Sequence, residues 1–151
     1  FNRIPKSFES QPTQAFKGLT YFYLNEPEKA IKLLNENLTS FPSSPHLNSV
    51  YAVILSSKGE KNEALIKMKI AQQNTVDYIH AHHIYYYLGL SSALIGENKE
   101  ALIWLQKAAN TGFPNYPLYS SDPHLQSLKE FEGFAEFLLI LKEDWEKYKT
   151  I

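Results

Sequence analysis

The chain predicts an all-α fold built from three helical hairpins and closed by further helices at its C-terminal end. The first observation is a phrase that occurs three times: Asn25-Glu26-Pro27-Glu28-Lys29-Ala30, Gly59-Glu60-Lys61-Asn62-Glu63-Ala64 and Gly96-Glu97-Asn98-Lys99-Glu100-Ala101. Each copy reads as a turn, a polar first helical turn, and a small residue where two helices must approach closely. The second observation is the spacing, 34 residues from Ala30 to Ala64 and 37 from Ala64 to Ala101. A period in this range marks stacked supersecondary units that bury their apolar faces against one another. The third is a second column of small residues, Gly18, Ala52 and Gly89, twelve positions before each alanine.

Around these anchors each hairpin is predicted in turn. Four residues beyond the alanines stand Leu34, Met68 and Leu105, and seven beyond stand Asn37, Ala71 and Ala108. Thirteen residues before the alanines stand Lys17, Tyr51 and Leu88, and nine before stand Tyr21, Leu55 and Ser92. Pro12 and Pro45 suit the first turn of the first helix in units one and two, and Pro27 does so for the second helix of unit one. Gly59 and Gly96 fall just past helix ends, where a left-handed residue is wanted. Pro42 closes the first unit, and Pro114 falls one place past the equivalent point of the third. The three extra residues of the longer spacing lie between Ala71 and Gly89. Thr75-Val76-Asp77 reads as a fresh helix N-terminus, with Asn74 or Thr75 as cap, so the insertion is about one added turn at the start of the first helix of the third unit.

This pattern resembles the tetratricopeptide repeat, a 34-residue helix–turn–helix with small residues at its eighth, twentieth and twenty-seventh positions. The units run about 11–44, 45–78 and 82–114, and the resemblance implies a right-handed α-α superhelix within a single domain. Gln14, Asn48 and Tyr85 stand where the family often has tryptophan, and Asn37 departs from the small twenty-seventh residue. The resemblance further implies an inward face formed by the second, fifth, ninth and twelfth positions of each unit. Those are Pro12, Ala15, Leu19 and Phe22; His46, Ser49, Val53 and Ser56; and His83, Tyr86, Leu90 and Ala93. The expected groove is Leu19, Phe22, His46, Ser49, Val53, Ser56, His83, Tyr86 and Leu90, mixed in chemistry and facing a protein or peptide. None of the twelve positions carries Lys, Arg or Asn, so the carboxylate clamp of chaperone-tail binders is not expected. Packing against the neighbouring helix is the competing reading for each of these side chains.

After Thr111 a loop is expected over 112–121, rich in Gly, Pro and aromatics. Phe113, Tyr116, Leu118 and Tyr119 make it too apolar for a solvated linker, so it should pack against the helices. Capping helices are expected over 122–149: a short one from Asp122-Pro123 to Leu128, then a long one. The long helix has an apolar stripe at Phe134, Leu138, Leu141, Trp145 and Tyr148, with Glu136, Lys142, Glu143, Glu146 and Lys147 on its other flanks. The run Gly112–Leu118, followed by Asp122-Pro123, Leu125, Leu128, Phe131 or Phe134, Leu138 and Trp145, is similar to the tail of tetratricopeptide regions in large bacterial signalling proteins. There the array follows a kinase, cyclase or DNA-binding output domain. That likeness implies an accessory interaction or sensing role with no activity of its own.

Composition narrows the function. With 151 residues, 44% of them apolar and 14% aromatic, there is material for a sizeable core. A formal net charge of −1, with both signs interspersed, argues against a nucleic-acid partner. The absence of cysteine excludes disulfides and thiol chemistry. No apolar stretch approaches the ~20 residues of a membrane span, no signal peptide opens the chain, and a cytoplasmic location is expected. The chain opens at Phe1 rather than methionine, which points to a fragment of a longer protein.

No paired carboxylates, Ser-His-Asp order or phosphate-cradling glycine loop is present, so no enzyme activity and no cofactor is expected. Asp77, His80 and His83 recur every three residues, with His82 adjacent, and imidazole and carboxylate suit zinc or nickel. Three ligands on one helix seldom converge on one ion, so a polar helix start is expected there and no metal. Tyr21-Phe22-Tyr23 and Tyr85-Tyr86-Tyr87 each point in three directions around a helix, so they read mainly as packing. Lys58, Lys61, Lys67 and Lys69 read as a solvated face. The expected function is therefore a non-catalytic interaction module. A regulatory sensor domain and a homodimerisation module through the apolar cap or the N-terminal edge are the alternatives.

Overall fold

The computed structural model describes residues 10–75 and 80–149, and every element in them is helical. Eight α-helices follow in order: α1 (Gln11–Tyr23), α2 (Pro27–Ser40), α3 (Pro45–Ser57), α4 (Lys61–Gln73), α5 (Ala81–Leu94), α6 (Asn98–Asn110), α7 (Tyr116–Ser121) and α8 (Phe134–Lys149). A 3-10 helix, Pro123–Leu128, lies between α7 and α8. The all-α class expected from the sequence is the class observed. The chain forms two compact units, Phe1–Tyr78 and Ile79–Ile151, which divide in the stretched spacer between the second and third copies of the repeated phrase.

The repeated phrase folds the same way three times. Asn25, Gly59 and Gly96 all sit at positive φ, at 59°, 78° and 81°, immediately after the cap residues of α1, α3 and α5. The next residue's N–H then reaches back to a carbonyl five positions earlier: Glu26 to Tyr21 (2.8 Å), Glu60 to Leu55 (2.9 Å) and Glu97 to Ser92 (2.9 Å). The left-handed residue itself donates to Phe22 (3.0 Å), Ser56 (3.1 Å) or Ala93 (3.1 Å). This pair of hydrogen bonds is the Schellman closure, which satisfies carbonyls of the last helical turn. Glycine adopts it without steric cost, and asparagine is the residue that best replaces it.

In the first unit α1 packs on α2, α3 packs on α4, and α3 also packs on α1 and α2. The helix starts are fixed by local chemistry. Ser10 Oγ accepts from the Thr13 N–H and Ser44 Oγ from the Leu47 N–H, both at 3.4 Å, with Pro12, Pro27 and Pro45 in first turns as expected. Ala30 and Ala64 are fully buried, as are Leu34, Ala52 and Ala71. Asn48 is buried because its Nδ2 donates to the Pro42 and Ser44 carbonyls, both at 2.9 Å. Asn37 turns its Nδ2 onto the Leu33 carbonyl of its own helix at 2.8 Å and stays half-buried. Asn74, the C-cap of α4, and Thr75, whose hydroxyl donates to the Ala71 carbonyl, close that helix and do not start the next one as expected. The added turn expected at Val76-Asp77 lies outside the described residues, and α5 begins at Ala81 with His80 at its cap.

In the second unit α5 packs on α6, and Ala101, Leu105 and Ala108 are fully buried. Gly89 lies so close to Leu105 that a Cβ there would come within 2.6 Å of Leu105 Cδ2. The expected loop over 112–121 is only partly a loop: Tyr116–Ser121 is α7, started by Asn115, whose Oδ1 accepts from the Leu118 N–H at 3.2 Å. Pro117 sits in its first turn, the place where proline does no harm. The short helix from Pro123 to Leu128 is present in the 3-10 form. Asp122 caps it through a 2.8 Å bond from the His124 N–H to Oδ1. It packs on α5 and α6, while α8 packs on α7. On α8 the buried residues are Phe134, Phe137 and Leu141. The inward face is thus rotated from the expected stripe: Leu138 and Trp145 flank it half-buried, and the Tyr148 side chain lies outside the described residues.

Candidate functional site

The groove residues expected from the repeat pattern fall into two classes. Leu19, Phe22 and His83 are partly accessible. His46, Ser49, Val53, Ser56, Tyr86 and Leu90 are buried, none more than 3% exposed. In this structure these six side chains are packed in the interior. In the first unit α3 is buried over almost its whole length, and Ser49 Oγ turns back to the His46 carbonyl at 3.0 Å.

Tyr86 shows the physical reason in the second unit. Its hydroxyl donates to Asp122 Oδ2 at 2.6 Å, and its ring meets Tyr119 edge-on at 5.2 Å and Phe113 at 5.4 Å. The tail of the chain therefore covers the face of α5 that a partner was expected to occupy. The ring sequence continues from Tyr119 to Phe137 at 5.4 Å and from Phe137 to Phe134 at 6.2 Å, which carries α8 into the same cluster. Burial raises the Tyr119 phenol above its ordinary pKa, and as a neutral donor it reaches the Leu105 carbonyl at 3.5 Å.

An accessible depression lies elsewhere in this unit. Gly112, Phe113, Pro114 and Asn115 on one side, with Asp144 and Trp145 of α8 on the other, enclose a cavity of about 300 Å³. A neighbouring cavity of about 330 Å³ is lined by Gln106, Ala109 and Asn110 of α6, Pro114, and Phe137, Ile140, Leu141 and Asp144 of α8. Pro114 and Asp144 line both, so the two form one cleft beside α8. Its walls are largely aromatic and aliphatic, with amides and one carboxylate at intervals. That is the lining typical of ligand and peptide sites. Asp144 also accepts from Lys147 at 3.0 Å, an exposed i,i+3 pair of small energetic weight. Repeat arithmetic pointed to the inward helix faces and missed this cleft. The sequence signals for it were the apolar loop at Phe113 and the presence of Trp145 on a helix otherwise rich in charge.

The histidines are gathered at the start of α5. Ring centroids lie 4.4 Å apart for His82 and His83, 5.7 Å for His80 and His82, and 6.2 Å for His80 and His83. Phe113 stacks on His82 at 5.9 Å and meets His83 edge-on at 4.8 Å. Asp77 lies outside the described residues. Burial, and then the neighbouring imidazoles, hold His83 below its ordinary pKa; burial and His80 do the same for His82 against an opposing hydrogen bond to the Thr111 backbone.

The lysines expected to form a solvated face divide. Lys58 pairs with Glu28 at 3.1 Å, whereas Lys67 lies 5.2 Å from the centre of the Tyr51 ring. No described helix is long and apolar enough to cross a membrane. Comparison with family models, curated proteins and solved structures returns no match.

Proposed function

We propose that this chain is a non-catalytic, cytoplasmic protein–protein interaction module of tetratricopeptide-like repeats, and that it receives a peptide or a segment of a neighbouring domain in the cleft beside α8. The observation that carries this reading is the pair of adjoining cavities around Pro114 and Asp144. Phe113, Phe137, Leu141 and Trp145 offer an apolar floor for one or two anchor side chains. Gln106, Asn110, Asn115 and Asp144 offer hydrogen bonds that would fix direction. Ile140, 54% exposed on the rim, extends the apolar surface outward. The partner surface thus moves from the inward helix faces to the C-terminal side of the third hairpin.

Two further readings have their own support. A cavity of about 300 Å³ is also the size of a small-molecule site, which suits a regulatory sensor in a larger bacterial signalling protein. Leu139 and Ile140, adjacent and both more than half exposed on α8, suit homodimerisation through this helix.

A displayed peptide library panned against the intact chain separates the three. The interaction reading expects enriched peptides with an aromatic or large aliphatic anchor, and at least tenfold weaker binding to Trp145→Ala. Peptides insensitive to both Trp145→Ala and Ile140→Lys would refute the site. A concentration-dependent dimer abolished by Ile140→Lys, with no peptide enrichment, would favour the homodimer. Enrichment failing while a small apolar compound protects Trp145 fluorescence from quenching would favour the sensor.

A further inference from the structure

Three imidazoles that sequence spacing alone would scatter are brought together at the start of α5. His82 and His83 are consecutive helical residues whose side chains ordinarily diverge by about 100°. His80 escapes that rule, because as the cap residue it has non-helical backbone angles (φ −111°, ψ 32°). It folds back over the first turn, so that one ring nitrogen from each of His80, His82 and His83 lies within 4.8 Å of the other two. Phe113 braces the rings of His82 and His83 from the far side. A Cβ at Gly112 would stand 3.6 Å from His82 Nδ1, so the backbone lies close against that edge of the ring.

We propose that His80, His82 and His83 form a site for one divalent transition-metal ion of the zinc, copper or nickel class. Metal–imidazole bonds of about 2.0–2.1 Å at tetrahedral angles put ligand nitrogens about 3.3 Å apart. The cluster must therefore close by about 1.5 Å at its widest. His80 is exposed and stands at the helix end, so a change of its side-chain torsions supplies that movement while His82 and His83 stay in place. The positive end of the α5 dipole opposes a cation by about two- to fivefold in affinity. A three-imidazole chelate exceeds that penalty by several orders of magnitude. The remaining coordination positions lie on the exposed His80 side, open to water or an added ligand.

The test is calorimetric titration of the full, untagged chain, stripped with a chelator, with Zn(II), Cu(II) and Ni(II) in separate runs. One ion per chain with micromolar or tighter affinity is expected, together with a metal-dependent rise in melting temperature that EDTA reverses. His82→Asn and His83→Asn should each weaken binding at least tenfold, and the exposed His80→Ala should do the same while leaving helical content unchanged. Affinity weaker than about 0.1 mM for all three ions would overturn the proposal. So would binding that survives His80→Ala combined with His83→Asn, which would place the ion elsewhere.

Discussion

Gly18 and Gly89 hold the same place in α1 and α5, yet replacing each with alanine should give different results. In a helix interior alanine is favoured over glycine by about 0.8–1 kcal/mol. A Cβ at Gly18 would meet Leu34 Cδ2 at 3.1 Å and Cγ at 3.2 Å, so Leu34 must yield by a few tenths of an ångström. A Cβ at Gly89 would meet Leu105 Cδ2 at 2.6 Å and Cγ at 2.8 Å, with the Ala101 carbonyl oxygen at 3.4 Å behind. Carbon atoms in contact prefer about 3.5–4.0 Å, so Leu105 would have to retreat by about 1 Å. It is fully buried and has no open side to move toward. Overpacking of this kind costs about 1–3 kcal/mol, and the upper part of that range applies at Gly89. The net expectation is a loss of about 1–2 kcal/mol for Gly89→Ala and a change within about 0.5 kcal/mol for Gly18→Ala, read from urea unfolding of the full chain by circular dichroism. Leu105→Ala should cost about 2–5 kcal/mol in the wild-type background and distinctly less in the Gly89→Ala background, because the clash and the cavity offset each other. Equal stability of the two glycine variants, or additive costs in the double variant, would show that the α5–α6 contact is not the close approach described.

Ala64→Leu and Ala101→Leu should each lower stability by about 1–3 kcal/mol, since both alanines are fully buried at helix contacts; an unchanged melting temperature would contradict that packing. Tyr86→Phe keeps the ring contacts and removes only the 2.6 Å bond to Asp122, so it should cost about 1.5–3 kcal/mol in unfolding assays, the range for hydrogen bonds to a charged group. Peptide binding in the cleft should survive the same substitution, whereas a selective loss of binding with full stability would return Tyr86 to the partner surface. Removal of the chain after Phe131 takes away Phe137, which meets the Tyr119 ring, together with the buried Phe134 and Leu141, and should leave the second unit aggregating or unfolding without a sharp transition, as followed by light scattering and thermal melts. A monomeric truncation with an unchanged transition would make α8 an independent element.

What could be read in the sequence was set by backbone chemistry of short range. The small-residue columns, the prolines of the first turns and the glycines past helix ends each act within one or two helical turns, and the helices of the three hairpins follow them. Asn25, at φ 59°, joins Gly59 and Gly96 as a left-handed residue, although the expectation had named only the two glycines. The candidate site was less legible because it depends on where the tail returns. Nothing local to Tyr86 states that Tyr119 and Asp122, more than thirty residues later, will cover its side of α5. The α8 stripe was misplaced for a related reason. Periodicity admits both Leu138 and Phe137 near its centre, and only the Tyr119 ring opposite selects Phe137. The histidine cluster depends on the cap geometry of His80, which a count by threes along a regular helix cannot represent.

The return of the tail over α5 and α6 also sets a limit on growth. In stacked helical arrays each hairpin leaves an apolar edge that the following hairpin covers, so length is extended by adding copies. Here the 3-10 helix from Pro123 to Leu128 packs on both helices of the third hairpin, Ser127 Oγ donates to the Ala93 carbonyl at 3.1 Å, and Asp122 is tied to Tyr86. Those groups take up the docking edge that a fourth hairpin would use. A copy spliced in after Asn110 would have to expel a hydrogen-bonded carboxylate and a fully buried tyrosine. One spliced in at the spacer after Gln73 would disturb neither. The C-terminal segment is in this sense a terminator for the third hairpin, and a further copy added directly after α6, by duplication or by design, would first have to displace it.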